Sequence, residues 1–189
     1  GQAIMKEFKG IVPPVVTPFK RTANQEIDEK KLREHIEFLI DNGVHGIFIC
    51  SGTGEYFNYS EEEFREAAQI AVDQVNGRIP VYGGAGNPGT QTAVKLAKMQ
   101  KDVGVDAIIV VGPYYNRPIY EEGLYLHYKT ISERVDVPIW AYNLAHHQPY
   151  GDMSPEVIAR LANEGHIKGI KNSTNDILHY STMLMLTRE

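Results

Sequence analysis

At 189 residues and 42% hydrophobic, the chain has length for one domain with a substantial core and not for two large ones. Its 19 basic against 24 acidic residues give a net charge of -5, which argues against a nucleic-acid surface; no zinc-ligand spacing or RNA-binding motif occurs either. The apolar runs are strand-length, too short for a membrane span, and the single cysteine, Cys50, excludes an internal disulfide and suits a reducing cytoplasm.

In chain order the pattern alternates strand and helix. Gly1–Ile4 ahead of Met5 read as an expression scar, with no secretory leader behind them. The first strand candidate is Gly10–Phe19, followed by a helix over Ile27–Asn42. Gly46–Gly52 is the second strand, and Cys50 inside it is expected to pack in the core rather than act as a nucleophile. Ser60 ahead of three glutamates marks the start of a helix over Glu61–Val75. Then come strand Pro80–Gly86, helix Thr90–Val103, strand Ala107–Pro113 and helix Glu121–Arg134. Strand Pro138–Asn143 leads to a helix over Pro155–Asn163, whose start is marked by Ser154-Pro155-Glu156. Strand Ile167–Ser173 and a sixth helix over Asp176–Arg188 complete the chain. Gly43, Gly77, Gly104 and Gly165 stand where helices should end. His35 and His127, inside helix candidates, read as surface positions.

These strands are short, rich in Val and Ile, and apolar on both faces, as buried parallel strands are. The repeat of strand and helix fits either an open doubly wound sheet or a (β/α)8 TIM barrel with about six of its βα units present. The first βα turn, Thr17-Pro18-Phe19-Lys20, is not a glycine-rich dinucleotide loop, which weighs against the first. Polar residues gather just past the strands: Thr17, Ser51-Gly52-Thr53-Gly54-Glu55, Tyr114-Tyr115, Tyr142-Asn143 and Lys171. In a barrel those positions converge on one mouth, where barrel enzymes keep their chemistry. The domain reading is a single barrel domain over 1–189, incomplete at its C-terminal side.

Lys171 carries the most chemistry. A lysine at the carboxyl end of a parallel strand, flanked by Ile167 and Ile170, is placed to lose its proton and attack a carbonyl carbon as a free amine.

Four segments in this order and spacing are Ser51-Gly-Thr-Gly-Glu, Gly112-Pro-Tyr-Tyr-Asn-Arg-Pro, Tyr142-Asn143 and Gly169-Ile-Lys171. Together with Gly10-Ile-Val-Pro-Pro-Val-Val-Thr-Pro-Phe they resemble the dihydrodipicolinate synthase / N-acetylneuraminate lyase family of Schiff-base class I aldolases, over Lys6–Tyr180. The resemblance implies a (β/α)8 barrel enzyme that condenses or cleaves at the methyl carbon of pyruvate. The substrate would be held as an imine on Lys171, with no metal or other cofactor. It implies that Tyr142 shuttles protons and that Thr53 binds the pyruvate carboxylate, helped by Ser51, Gly52 and the backbone N–H groups of the Gly52–Gly54 turn. Tyr115 would reach into a neighbouring subunit's site, so the expected assembly is a homodimer or homotetramer. Partners are then a small 2-keto acid and further copies of the chain, with neither nucleic acid nor membrane.

The sequence also departs from the synthase pattern. Gly52 replaces the first of two adjacent hydroxyl residues, and His147 stands where the synthase has an arginine for the aldehyde's carboxylate. A histidine is a weaker, pH-dependent carboxylate ligand than a bidentate guanidinium. These departures point to a sugar-acid or 2-keto-3-deoxy acid substrate rather than aspartate semialdehyde. His146 and His147 otherwise read as solvated loop residues, and Arg117 as a loop clamp or subunit contact. The competing reading is a catalytically impaired truncated barrel serving as a binding or assembly module.

Overall fold

The computed structural model describes residues 7–115, 120–145 and 152–187. Expectations that fall on Gly1–Ile4, Arg117, His146 and His147 lie outside them. Five strands follow the predicted order: β1 Ile47–Ile49, β2 Val81–Gly84, β3 Ala107–Val111, β4 Ile139–Asn143 and β5 Gly169–Asn172. The helices are α1 Glu29–Asp41, α2 Glu61–Val75, α3 Thr90–Val103, α4 Glu121–Arg134, α5 Pro155–Asn163 and α6 Ile177–Leu186. No helix among the described residues is long and apolar enough to cross a membrane.

Four helices, α2 to α5, have the predicted bounds, and two of them start as the cap residues require. Ser60 and Glu63 close a reciprocal capping box at α2, while Ser154 accepts from Val157 N with Pro155 in the first turn of α5. The sixth helix starts one residue late because Asp176 is its cap, accepting from Leu178 N and His179 N. The four helix-ending glycines all take positive φ, between 76° at Gly77 and 100° at Gly104, a region closed to most side chains.

The first strand candidate is corrected. Gly10–Phe19 forms no strand of its own and keeps only isolated bridges, Pro14 with Phe48 and Phe19 with Ile27. It still runs beside β1, through His45 N to Ile11 O (2.8 Å), Phe48 N to Pro13 O (3.0 Å) and Val15 N to Phe48 O (2.9 Å). Pro13, Pro14 and Pro18 have no N–H to donate, so a regular ladder is impossible there.

The chain packs as two compact units, Gly1–Gly84 with Met99–Ala107 and Ala85–Lys98 with Ile108–Glu189. In the first, β1 and β2 pair in parallel from Ile47 opposite Val81 to Ile49 opposite Gly83. Helix α1 buries Leu32 and Ile36, and α2 buries Phe64, Ala67, Ala68, Ile70, Ala71 and Val75. Cys50 is fully buried, as expected, with its thiol directed at the Phe64 carbonyl (3.5 Å). Burial pushes that thiol up to about 12.

In the second unit β3 pairs with β4 and β4 with β5, all parallel. Helix α4 buries Leu124, Tyr125, Tyr128 and Ile131, and Tyr128 OH donates to Val110 O at 2.8 Å. His127 corrects the surface reading, for it is only 3% exposed. It falls three residues after Leu124 and four before Ile131, on the buried stripe of α4. Its Nδ1 pairs with Thr90 Oγ1 at 2.9 Å, and burial lowers its pKa to about 4. Between α4 and α5 the Arg160 guanidinium stacks 3.4 Å from the Tyr125 ring centroid, and Tyr125 OH donates to Glu164 Oε2 at 2.5 Å.

Candidate active site

The strand register of the second unit brings the two leading candidates together. β4 and β5 run parallel with Tyr142 opposite Lys171 and Asn143 opposite Asn172. Residues opposite one another in a parallel pair share a face, and successive residues alternate faces. Tyr142 and Lys171 therefore stand on one side of the sheet, and Asn143 and Asn172 on the other. Lys171 Nζ lies 3.6 Å from the centroid of the Tyr142 ring and 3.4 Å from Ser173 Oγ. Both side chains are half-buried. A cation over a tyrosine face is held by the ring's quadrupole.

Behind this pair the strand ends are tied. Asn143, with no exposed surface, donates from Nδ2 to Asn172 Oδ1 and to Asp152 Oδ1, both at 2.7 Å. Its Oδ1 accepts from Met153 N at 3.0 Å. Asp152 Oδ2 accepts from Thr174 Oγ1 at 2.9 Å, and Ser173 N donates to Asn143 O at 2.9 Å. Asp152, Asn172 and Thr174 were not singled out in the sequence. The available signal was the period-2 placement of Asn143 and Asn172 directly after Tyr142 and Lys171, on the face where an apolar residue was due.

Tyr115 follows β3 in the same unit. Its side chain is 89% exposed and its backbone has φ 80°, a left-handed conformation that is strained for an aromatic residue. Among the described residues no hydrogen bond or ring contact joins it to Tyr142 or Lys171.

The Ser51–Glu55 turn belongs to the first unit. Ser51 is buried, and its Oγ accepts from Gly54 N at 3.1 Å. Glu55 N donates to Gly52 O (3.0 Å) and Tyr56 N to Ser51 O (3.3 Å), leading into the short 3-10 turn Tyr56–Asn58. The amides of Gly54 and Glu55 are thus used within the turn and that of Tyr56 folds back onto it, while Gly52 and Thr53 lie on its exposed side. Positive φ at Cys50 (53°) and Glu55 (63°) brackets the turn. Gly54 is required there, since a Cβ would stand 2.7 Å from the Val15 carbonyl oxygen. Gly52 is not: a Cβ would meet only the Phe57 ring, at 3.8 Å. Under the turn the Thr17 hydroxyl pairs with Tyr59 OH, and burial pushes the Tyr59 phenol above its ordinary range. Thr17 is therefore a buried support of this unit.

The model of the dihydrodipicolinate synthetase family matches residues 7–189. The chain belongs to that family. One curated relative, the 4-hydroxy-tetrahydrodipicolinate synthase of Syntrophus aciditrophicus, is 42% identical over 179 residues, which is 95% of this chain and 60% of the relative. Among solved structures, dihydrodipicolinate synthase from Aquifex aeolicus superposes with a TM-score of 0.90 at 37% identity, covering 96% of this chain and 61% of that one. The Bacillus anthracis dihydrodipicolinate synthase does so at 0.91 and 34%, covering 98% and 62%. The chain spans about 60% of the length of the curated relatives it matches. The fold is accordingly α/β, made of TIM-barrel βα units. Relatives named as the synthase do not support the sugar-acid preference read from Gly52 and His147.

Proposed function

We propose that the protein is a class I aldolase or lyase whose Lys171 amine forms an imine with the ketone carbon of pyruvate. The observation that carries this reading is Nζ at 3.6 Å from the Tyr142 ring, on adjacent strands of this family's fold. The unprotonated amine attacks the ketone, water leaves, and the protonated imine draws electrons from the methyl carbon. Loss of a methyl proton then yields an enamine, the nucleophile for the second substrate. Tyr142 takes up and returns protons in place during these steps. Thr53, with the N–H groups of Gly52 and Thr53, binds the keto-acid carboxylate; their exposed position on a tightly braced turn supports this. Ser51 serves that site by bracing the turn. The exposure and positive φ of Tyr115 support a role for it against another copy of the chain.

For the second substrate, the relatives' shared name favours the synthase reaction with aspartate semialdehyde. Gly52, lacking a hydroxyl, favours a sugar-acid partner instead. The test is borohydride reduction with pyruvate, followed by intact mass and peptide mapping. A reduced pyruvyl adduct on Lys171 is expected; an adduct elsewhere, or none from folded protein, overturns the assignment. Adding aspartate semialdehyde or 2-keto-3-deoxy acids to the pyruvate-loaded protein then separates the two partners by which one is turned over.

A further inference from the structure

We propose that Asp152 is a positioning residue for the Lys171–Tyr142 pair, a role that rests on the imine reading given above. Its two carboxylate oxygens join the ends of two strands. Oδ1 accepts from Asn143, the residue after Tyr142, and Oδ2 accepts from Thr174, three residues after Lys171. Thr174 Oγ1 itself accepts from Asp176 N at 3.1 Å, so its proton is committed to Asp152. Both partners donate, which is the pattern a carboxylate satisfies with both oxygens.

Asn143 completes the brace. Its second amide hydrogen goes to Asn172 Oδ1, the neighbour of Lys171 on the opposite face. Lys171 is therefore followed, one and three residues on, by two side chains tied, through Asn143 or directly, to one carboxylate, and Tyr142 is next to the third. Strand ladders alone fix the backbone, but they leave the last residues free to fray where the chain departs from the sheet. The brace lies at that point. Without Asp152, one N–H of fully buried Asn143 has no acceptor and the Thr174 hydroxyl loses its own, so both groups must reorient. The amine and the phenol ring would then lose their common register by a fraction of an ångström to an ångström, an error that matters for a covalent step.

The experiment measures the rate of borohydride-trapped pyruvyl adduct on Lys171 in the full-length natural protein, with melting temperature recorded for each variant. Asp152→Ala is expected to slow trapping by about tenfold or more, the range seen when supports of reacting groups are removed. Asp152→Asn should recover to within about threefold, because an amide still accepts from Asn143 and donates to the Thr174 oxygen. Ser154→Ala is the stability control: it removes the α5 cap bond to Val157 N, outside the brace, and should trap at the unaltered rate. Asp152→Ala that traps as fast as Ser154→Ala, while folded, overturns the proposal. If Asp152→Ala does not fold, Thr174→Val removes one arm alone; several-fold slower trapping supports the brace and an unchanged rate overturns it. An unaltered protein that forms no adduct on Lys171 overturns the imine reading, and this proposal with it. Normal trapping there with no loss in Asp152→Ala overturns the positioning role only.

Discussion

The β4–β5 ends and the Ser51–Glu55 turn present their candidate groups in opposite ways. At the strand ends, side chains are presented: Tyr142 and Lys171 are held by a parallel ladder and by hydrogen-bonded asparagines behind it. In the turn, backbone is presented: a buried serine and two positive-φ residues bend the chain so that Gly52 and Thr53 are exposed. A covalent step needs one nitrogen at one place, which strands supply through register. A carboxylate is met by several donors at once, and a turn supplies those from its amides.

The largest test of this contrast is Lys171→Ala, expected to abolish pyruvate trapping while circular dichroism remains that of the folded protein. Residual adduct formation would remove the strand ends from the chemistry. Tyr142→Phe comes next. The ring face beneath Nζ survives, so the imine still forms at equilibrium, while turnover falls by about 10²–10⁴-fold for loss of the proton shuttle. Unchanged turnover would reduce Tyr142 to a packing ring.

Acid and alkali should distinguish the two units. His127, in the unit with the strand ends, is held neutral by burial, with its pKa lowered from 6.5 to about 4. Its contribution is complete above the unfolded value and is lost as pH falls from 6.5 to 4, about 3 kcal/mol in all. Cys50, beside the turn, is raised from 9.0 to about 12, so the stability it contributes is lost as pH rises across that interval. Chemical denaturation against pH should show His127→Phe flattening the acid limb and Cys50→Ala the alkaline one. A variant that leaves its limb unchanged would disconnect that residue from the transition.

Within the turn, Gly54→Ala should cost about 1–3 kcal/mol, because the neighbour to be displaced is the Val15 carbonyl rather than a flexible side chain. Gly52→Ser is the smallest change. Its Cβ has room, so stability should remain within about 0.5 kcal/mol, and the restored hydroxyl tests whether its absence limits turnover. A melting temperature that drops as far as that of Gly54→Ala would contradict the open geometry at Gly52.

The placement of Lys171 and Tyr142 at strand ends was legible because each stands at the end of an apolar strand run. Helices α2, α3, α4 and α5 were legible to the residue, since caps and glycines are local signals. The misreadings have equally specific causes. Gly10–Phe19 has a strand's apolarity but too few N–H groups to build a ladder. His127 looked polar and hence exposed, yet its position on the α4 stripe overrode its side chain. Asp152 lies two residues ahead of the α5 cap Ser154, where an acid normally faces water, so nothing local marked it as a support.

By itself the sequence determined the alternation of strands and helices, the helix limits and the candidate lysine and tyrosine, because hydrophobic period, caps and glycines act over a few residues. Only the tertiary structure decided that Nζ stands over the Tyr142 ring, that Asn143 and Asp152 tie the strand ends, and that His127 is buried. Those facts depend on strand register and on hydrogen bonds between residues as many as 37 apart in the chain, as in the pair of Thr90 with His127. Such partners are selected by which groups packing leaves without water, and no local pattern encodes that.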